Sequence, residues 1–261
     1  MNDLTTILKQ FQVTEKQLLE QLQISDGDIV FVSGSVVEGY GNPQSDLDLF
    51  VIKESIEEVK AQFVYKDLRI QQIITNNNQR FDVEYHSVAK TLAYLELSRN
   101  FRADSLEDME ELDLKKIDFL HRLHLAIPLR ASTKLKSLQE AINIVNVCSS
   151  LKNWKIRSYN AHLTDCLGML QIDDLDTAVY WSRQTLSEAI DVLLALHFMS
   201  NPSDKWRFRK LADVAGAQSD IYMNYRRLMT REVSLDQRKN YIFETLKYAG
   251  NIVLEAQLQK Q

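Results

Sequence analysis

The chain has 261 residues, 45% hydrophobic and 26% charged, a balance that excludes disordered and fibrous classes and suffices for one large domain or two modest ones. Its net charge of −5 is uneven: residues 1–120 hold 12 Lys/Arg against 22 Asp/Glu and residues 121–261 hold 19 against 14, which suggests two halves with different electrostatic roles and argues against a duplex-DNA binder. No apolar run approaches the ~18–20 residues that cross a bilayer, and Met1-Asn2-Asp3-Leu4 lacks a basic and apolar leader, so a cytoplasmic protein is expected, without a membrane partner.

In chain order, the first 23 residues read as two short amphipathic helices, with Thr14 and Gln17 spaced as a capping box ahead of Leu18, Leu19 and Leu22. Asp26-Gly27-Asp28 is a turn, and Ile29-Val30-Phe31-Val32 is a short apolar strand. A glycine-rich stretch leads into a second strand, Leu47 to Ile52, and a helix is expected from Ser55 to Phe63. Leu68 to Ile74 and Phe81 to Tyr85 alternate with period two and predict a hairpin, turning over Asn76 to Gln79. From Ser87 the pattern is helical throughout. Helices fit Leu114–His124, Thr133–Leu151, Arg157–Leu170, Ala178–Phe198, Arg207–Val214, Ile221–Thr230 and Asp236–Leu258, with Pro128 and Pro202 as punctuation. The expected class is α+β: a small mixed-sheet unit over 1–120, then an all-α helical bundle over 121–261. Cys148 and Cys166 are too few for a disulfide framework and lack metal-ligand spacing, so they read as reduced structural thiols.

One segment carries chemistry. Only seven glycines occur in the chain, yet Gly34, Gly39 and Gly41 fall within eight residues, between the two strands. Gly34 permits close backbone approach, and free N–H groups at the start of the following helical turn suit an anion. Asp46 and Asp48 stand two apart at the start of the second strand and so share a face. Parallel carboxylates repel unless a cation neutralises them, and a hard dication with oxygen ligands, Mg²⁺ above all, does that. An anion cradle beside a carboxylate pair is equipment for metal-assisted phosphoryl or nucleotidyl transfer.

Ser33-Gly34-Ser35, then ten residues, then Asp46-Leu47-Asp48-Leu49, resembles the signature of the nucleotidyltransferase superfamily that includes DNA polymerase beta. Ser33 departs from it, since an apolar residue is usual there. The resemblance implies a third carboxylate on a later strand, and both Asp82 and Glu84 fit its hydrophobic-acid-hydrophobic pattern. Similarity to aminoglycoside adenylyltransferases favours Asp82, with Glu84 as the alternative. The implied metal ligands are Asp46, Asp48 and Asp82, holding two Mg²⁺ ions; the implied nucleotide contacts are Gly34, Ser35 and Ser45. The family's stand-alone members also follow the catalytic unit with a helical bundle that often carries a late Lys-Trp pair. Lys205-Trp206-Arg207-Phe208-Arg209-Lys210 resembles it, making Lys205 and Arg209 candidate triphosphate contacts, although a solvated helix start explains them equally well.

The resemblance implies an enzyme that moves a nucleoside monophosphate, by default AMP from ATP, to a hydroxyl of a small molecule, as a monomer or homodimer. Two alternatives are a protein-directed adenylyltransferase and a non-catalytic nucleotide- or ligand-sensing module. A nucleic-acid polymerase is disfavoured because no basic track is present. His121 and His124, three apart on one helix, read as surface or packing residues, and the acidic run Asp104 to Asp118 reads as a solvated face. Glu38 and Tyr40 are loop residues without an assigned partner.

Overall fold

A computed structural model describes residues 2–65, 68–74, 79–201 and 204–258, leaving aside the Ile74 side chain. Two short helices open the chain, α1 (Leu4–Gln10) and α2 (Glu15–Glu20). Thr14 and Gln17 form the expected capping box: the Thr14 hydroxyl accepts from the Gln17 N–H while the Gln17 amide oxygen accepts from the Thr14 N–H. The chain continues through β1 (Ile29–Ser33), α3 (Ser35–Glu38), β2 (Leu47–Lys53), β3 (Phe63–Tyr65), β4 (Leu68–Ile74), β5 (Arg80–Ser87) and α4 (Val88–Asn100). Next come α5 (Leu106–Glu111), α6 (Leu114–His124), β6 (Ile127–Arg130), α7 (Ser132–Glu140), α8 (Ile144–Gln171) and α9 (Leu175–Leu196). The last elements are α10 (Arg207–Ala215), α11 (Asp220–Thr230) and α12 (Arg238–Leu258), with 3-10 turns at Asp204–Trp206 and Leu235–Gln237. The protein is α+β, as expected.

Two compact units emerge, but the boundary is not a single cut at residue 120. Residues 1–100 and 118–143 form the first unit; 101–117 and 144–261 form the second. The charge imbalance read along the chain largely vanishes in this division: the first unit holds 13 Lys/Arg against 17 Asp/Glu, the second 18 against 19. The acidic run at 104–113 had inflated the apparent contrast because it belongs with the helical unit.

In the first unit the six strands form one mixed sheet in the order β3-β4-β5-β2-β1-β6. Only β2 and β5 run parallel; the other pairs are antiparallel. Val30, Val32, Leu47, Leu49, Val51, Phe81, Val83 and Tyr85 bury a continuous apolar face, against which Ile7, Phe11 and Leu18 of the opening helices pack. The expected hairpin exists as β4 and β5; its turn lies largely outside the described residues.

Three expectations fail for identifiable reasons. Residues 55–63 form no helix. The Gln23 side chain accepts from the Lys60 N–H at 2.8 Å and donates to the Lys60 carbonyl at 2.6 Å, taking groups a helix would have used, while Ile56 and Val59 anchor the turn in the core. The region after Ser87 is not purely helical, since β6 pairs with β1, setting Pro128 opposite Phe31. Proline is compatible with an edge strand, where no second neighbour needs its missing N–H. The helix break falls at 141–143, and α8 then runs unbroken through the polar stretch 152–156. That stretch is helical because Trp154 donates to the Met109 and Leu112 carbonyls and Lys155 is buried among carboxylates.

The second unit is helical. Its core combines Leu186, Ala189, Ile190 and Leu194 of α9 with Tyr159 and Cys166 of α8, Tyr225 and Leu228 of α11, and Ile242, Ala249 and Val253 of α12. Cys148 and Cys166 are buried free thiols, which burial raises to about 12 and about 11. No helix among the described residues is long and apolar enough to cross a membrane.

Candidate active site

The signature segment closes one end of the first unit's sheet. β1 ends at Ser33, and Gly34 turns the chain with φ +83° and ψ −165°, a conformation nearly restricted to glycine. A Cβ at Gly34 would overlap Asp48 Oδ2, so glycine is required here by close approach as well as by backbone angle. After the four residues of α3, Tyr40 and Gly41 fold back to donate N–H bonds of 2.8 and 2.9 Å to the Ser35 carbonyl. Ser45 closes the next turn, its hydroxyl accepting from the Asn42 N–H at 2.8 Å. The Ser33 hydroxyl, the one departure from the family pattern, donates 2.6 Å to the Arg122 carbonyl and ties the end of α6 to β1.

Register then brings the acids together. In the parallel β2–β5 pair, Asp48 stands opposite Asp82 and Phe50 opposite Glu84, while Ser33 of β1 flanks Asp48 on the other side. Asp46, just before β2, is ion-paired with Arg80, whose Nε is 3.9 Å from Asp82 Oδ1. Asp82 also accepts 3.1 Å from the Gln72 amide. Glu84, two pairs further along, has its Oε2 at 3.0 Å from His86 Nε2, with the His86 ring against Phe119. Arg122 completes the cluster: Nε lies 2.9 Å from Asp118 and Nη1 3.2 Å from Asp48 Oδ2.

Electrostatics separates these carboxyls. Burial pushes Asp48 up to about 6, and the neighbouring Glu84 and Asp82 charges add to the rise against the opposing pull of Arg122. Burial works in the same direction on Glu84, but the His86 hydrogen bond and the charges of His86, Arg122 and Lys90 outweigh it and hold that carboxyl below its ordinary value. Asp48 is thus the acid most in need of further positive charge. Asp46, Asp48 and Asp82 present hard oxygen donors around it, and two guanidinium groups already stand against them as cations. Carboxylate oxygens are the donor type that Mg²⁺ takes, but among the described residues only Glu188, Asp191 and Asp204 bring three such oxygens within 4.8 Å of one another.

Glu38 lies 3.3 Å from His121, so two residues read separately in the sequence meet inside this unit. Sequence reasoning passed over Arg80, His86 and Arg122. Arg80 and His86 flank the candidate acids on β5, which is a usable signal; Arg122 is far away in sequence and gives none.

Lys205 and Arg209 belong to the second unit, both exposed, with the Arg209 guanidinium 5.3 Å from the Trp206 ring centre. Arg207 and Lys210, counted with them as a cationic start, point inward. Arg207 makes a two-bond pair with Asp191 at 2.8 and 2.9 Å, and Lys210 donates 2.8 Å to the Ser200 carbonyl. This unit also contains an acid triad with metal-like spacing: one oxygen each from Glu188, Asp191 and Asp204 lie within 4.8 Å of one another. The Lys155 ammonium sits among all three, at 3.2, 2.9 and 3.6 Å, where a cation would bind.

No protein-family model matches the chain, and the comparison with curated proteins finds no match. Among solved structures, the chain is similar to a nucleotidyltransferase-like protein from Exiguobacterium sibiricum 255-15. The identity is 12% and the TM-score 0.49, over 95% of this chain and 75% of that one. So distant a likeness carries no argument, and function is argued below from the first unit's own geometry.

Proposed function

We propose that the protein is a Mg²⁺-dependent nucleotidyltransferase that moves a nucleoside monophosphate, AMP from ATP by default, to a hydroxyl of a small molecule and releases pyrophosphate. The observation that carries this reading is the pairing of Asp48 with Asp82 on parallel neighbouring strands, with Asp46 at the same end of the sheet and Gly34 pressed against Asp48. In this proposal Asp46, Asp48 and Asp82 hold the metal, which when bound would polarise the phosphoryl oxygens and lower the barrier to in-line displacement. Gly34, Ser35 and Ser45 line the approach of the triphosphate. The acceptor oxygen forms a bond to the α-phosphorus as the bond to the pyrophosphate oxygen breaks, and the hydroxyl proton passes to a carboxylate. Asp82 suits that role better than Glu84, whose Oε2 is engaged by His86 and whose basicity is reduced.

A thermal-shift series with ATP, GTP, CTP and UTP, with and without Mg²⁺, tests the reading on wild type and on Asp46→Ala and Asp48→Ala. A nucleotide at about 100 times its dissociation constant stabilises by ~2.7 kcal/mol, a shift of roughly 5–10 °C in a chain of this size. The expected result is a metal-dependent shift with one nucleotide in wild type, absent in both variants. No shift with any triphosphate overturns the transferase reading in favour of a non-catalytic module.

A further inference from the structure

Arg122 has donor capacity that its present partners leave unused. Its Nε is fixed by Asp118 one helical turn back, its guanidinium carbon lies 5.6 Å from the Phe50 ring centre, and its own carbonyl is held by Ser33. Nη1 is different. It is buried, 3.2 Å from Asp48 Oδ2, yet makes no aligned hydrogen bond. It also lies 3.2 Å from the place a Gly34 Cβ would occupy, so the bare face of the glycine lies beneath an unsatisfied cationic donor. A buried donor left in this state costs free energy until an acceptor arrives, and a guanidinium anchored through Nε presents its outer nitrogens as a fork suited to a tetrahedral oxyanion.

We propose that Arg122 is a phosphate-binding residue of this site, serving first as the counter-cation of Asp48 and then, once a metal takes over that carboxylate, as a ligand of the departing diphosphate of a nucleoside triphosphate. This rests on the nucleotidyltransfer reading above. When the bond between the α-phosphorus and the bridging oxygen breaks, the electron pair stays with that oxygen. Arg122 stabilises the resulting charge by donating N–H bonds, with no proton transferred. The Nε bond to Asp118 keeps the side chain in place while the outer nitrogens exchange partners.

The test uses inorganic pyrophosphate and Mn²⁺ as separate probes on the full chain. Calorimetry measures magnesium pyrophosphate binding to wild type, Arg122→Gln and Arg122→Lys, and electron paramagnetic resonance measures Mn²⁺ binding to the same proteins. Expected for Arg122→Gln is a loss of pyrophosphate affinity of roughly 10–100-fold, with Mn²⁺ affinity unchanged or tighter because a competing cation is gone. Arg122→Lys, which keeps the charge and removes the fork, loses about 3–10-fold for pyrophosphate and serves alone if the Gln variant fails to fold. Wild-type pyrophosphate affinity in the folded variants overturns the role of Arg122 while leaving the transferase reading standing. A wild type that binds neither probe overturns both.

Discussion

Each unit of this protein contains a cluster of carboxylates facing two cations, and the two clusters are finished to different degrees. In the helical unit Asp191 accepts from Asn201 and from both ends of the Arg207 fork, and the Lys155 ammonium is 2.9 Å away. Burial acts to raise Asp191, but Arg207 and Lys155 overcome it and hold the carboxyl below its usual range. In the sheet unit Asp48 has one poorly aligned guanidinium and two like-charged neighbours, and its carboxyl rises. Among the described residues, acid spacing alone names only the helical cluster of Glu188, Asp191 and Asp204 as metal-like. What separates the two is the state of the central acid: Asp191 takes hydrogen bonds from Asn201 and Arg207 and is held down, whereas Asp48 rises; at the edge of the helical cluster Glu188 is also raised by burial, and its Oε2 has no hydrogen bond.

The comparison can be broken most forcefully in the helical unit. Asp191→Ala leaves Lys155 and Arg207 buried without their central partner, and removing one member of a buried ion pair costs about 3–5 kcal/mol. A melting temperature lower by roughly 10 °C is expected in differential scanning calorimetry. An unchanged melting point would show that this cluster does not contribute to stability as described.

A smaller effect sharpens the other side. Gly34→Ala imposes a side chain on a backbone conformation that costs ~1–3 kcal/mol for other residues, and displaces the Asp48 carboxylate. Loss of the Mg²⁺-dependent nucleotide shift should accompany a modest fall in melting temperature. A variant that keeps the full nucleotide shift would separate Gly34 from the site.

The smallest effect has a sign that depends on pH. The folded state holds the Asp48 proton more tightly than the unfolded chain, so that carboxyl favours folding below its ordinary value of 3.8, and the benefit is lost as pH rises through about 6. Asparagine does not titrate. Metal-free Asp48→Asn should therefore match wild type near pH 4 and gain stability up to pH 6–7. The gain is about 1–2 kcal/mol, less than the full shift would give because the Asp48 side chain keeps 29% exposure. Chemical denaturation across pH checks this, and a variant less stable than wild type at pH 7 would contradict the account of an under-neutralised carboxylate.

Legibility in the sequence follows the range of the interactions. The capping box at Thr14, the strand leading into Gly34 and the strand carrying Asp48 are local patterns, and the structure contains each, with Asp46 falling just ahead of its strand. That Asp82 faces Asp48 while Glu84 faces Phe50 follows from the β2–β5 register, which only the folded sheet supplies. The helix expected at 55–63 failed because its competitor was the amide of Gln23, 37 residues upstream. Strand β6 was missed because Pro128 looked like a breaker when it was an edge residue. Arg122 was invisible for a related reason: 74 positions separate it from Asp48 along the chain, and nothing local distinguishes it from any solvated arginine.

The interleaved order of the units bears on how the protein is made. A growing chain completes β1 and β2 early, but the partner of β1 on its far side, Ile127–Arg130, is translated only after residues 101–117 of the other unit. Until then Ile29–Ser33 has no partner for its far edge, and Arg122 has not been made. No single cut in the gene frees the sheet unit intact, because an N-terminal fragment ending at residue 100 lacks both its last strand and Arg122, one of the two cations of its acidic cluster.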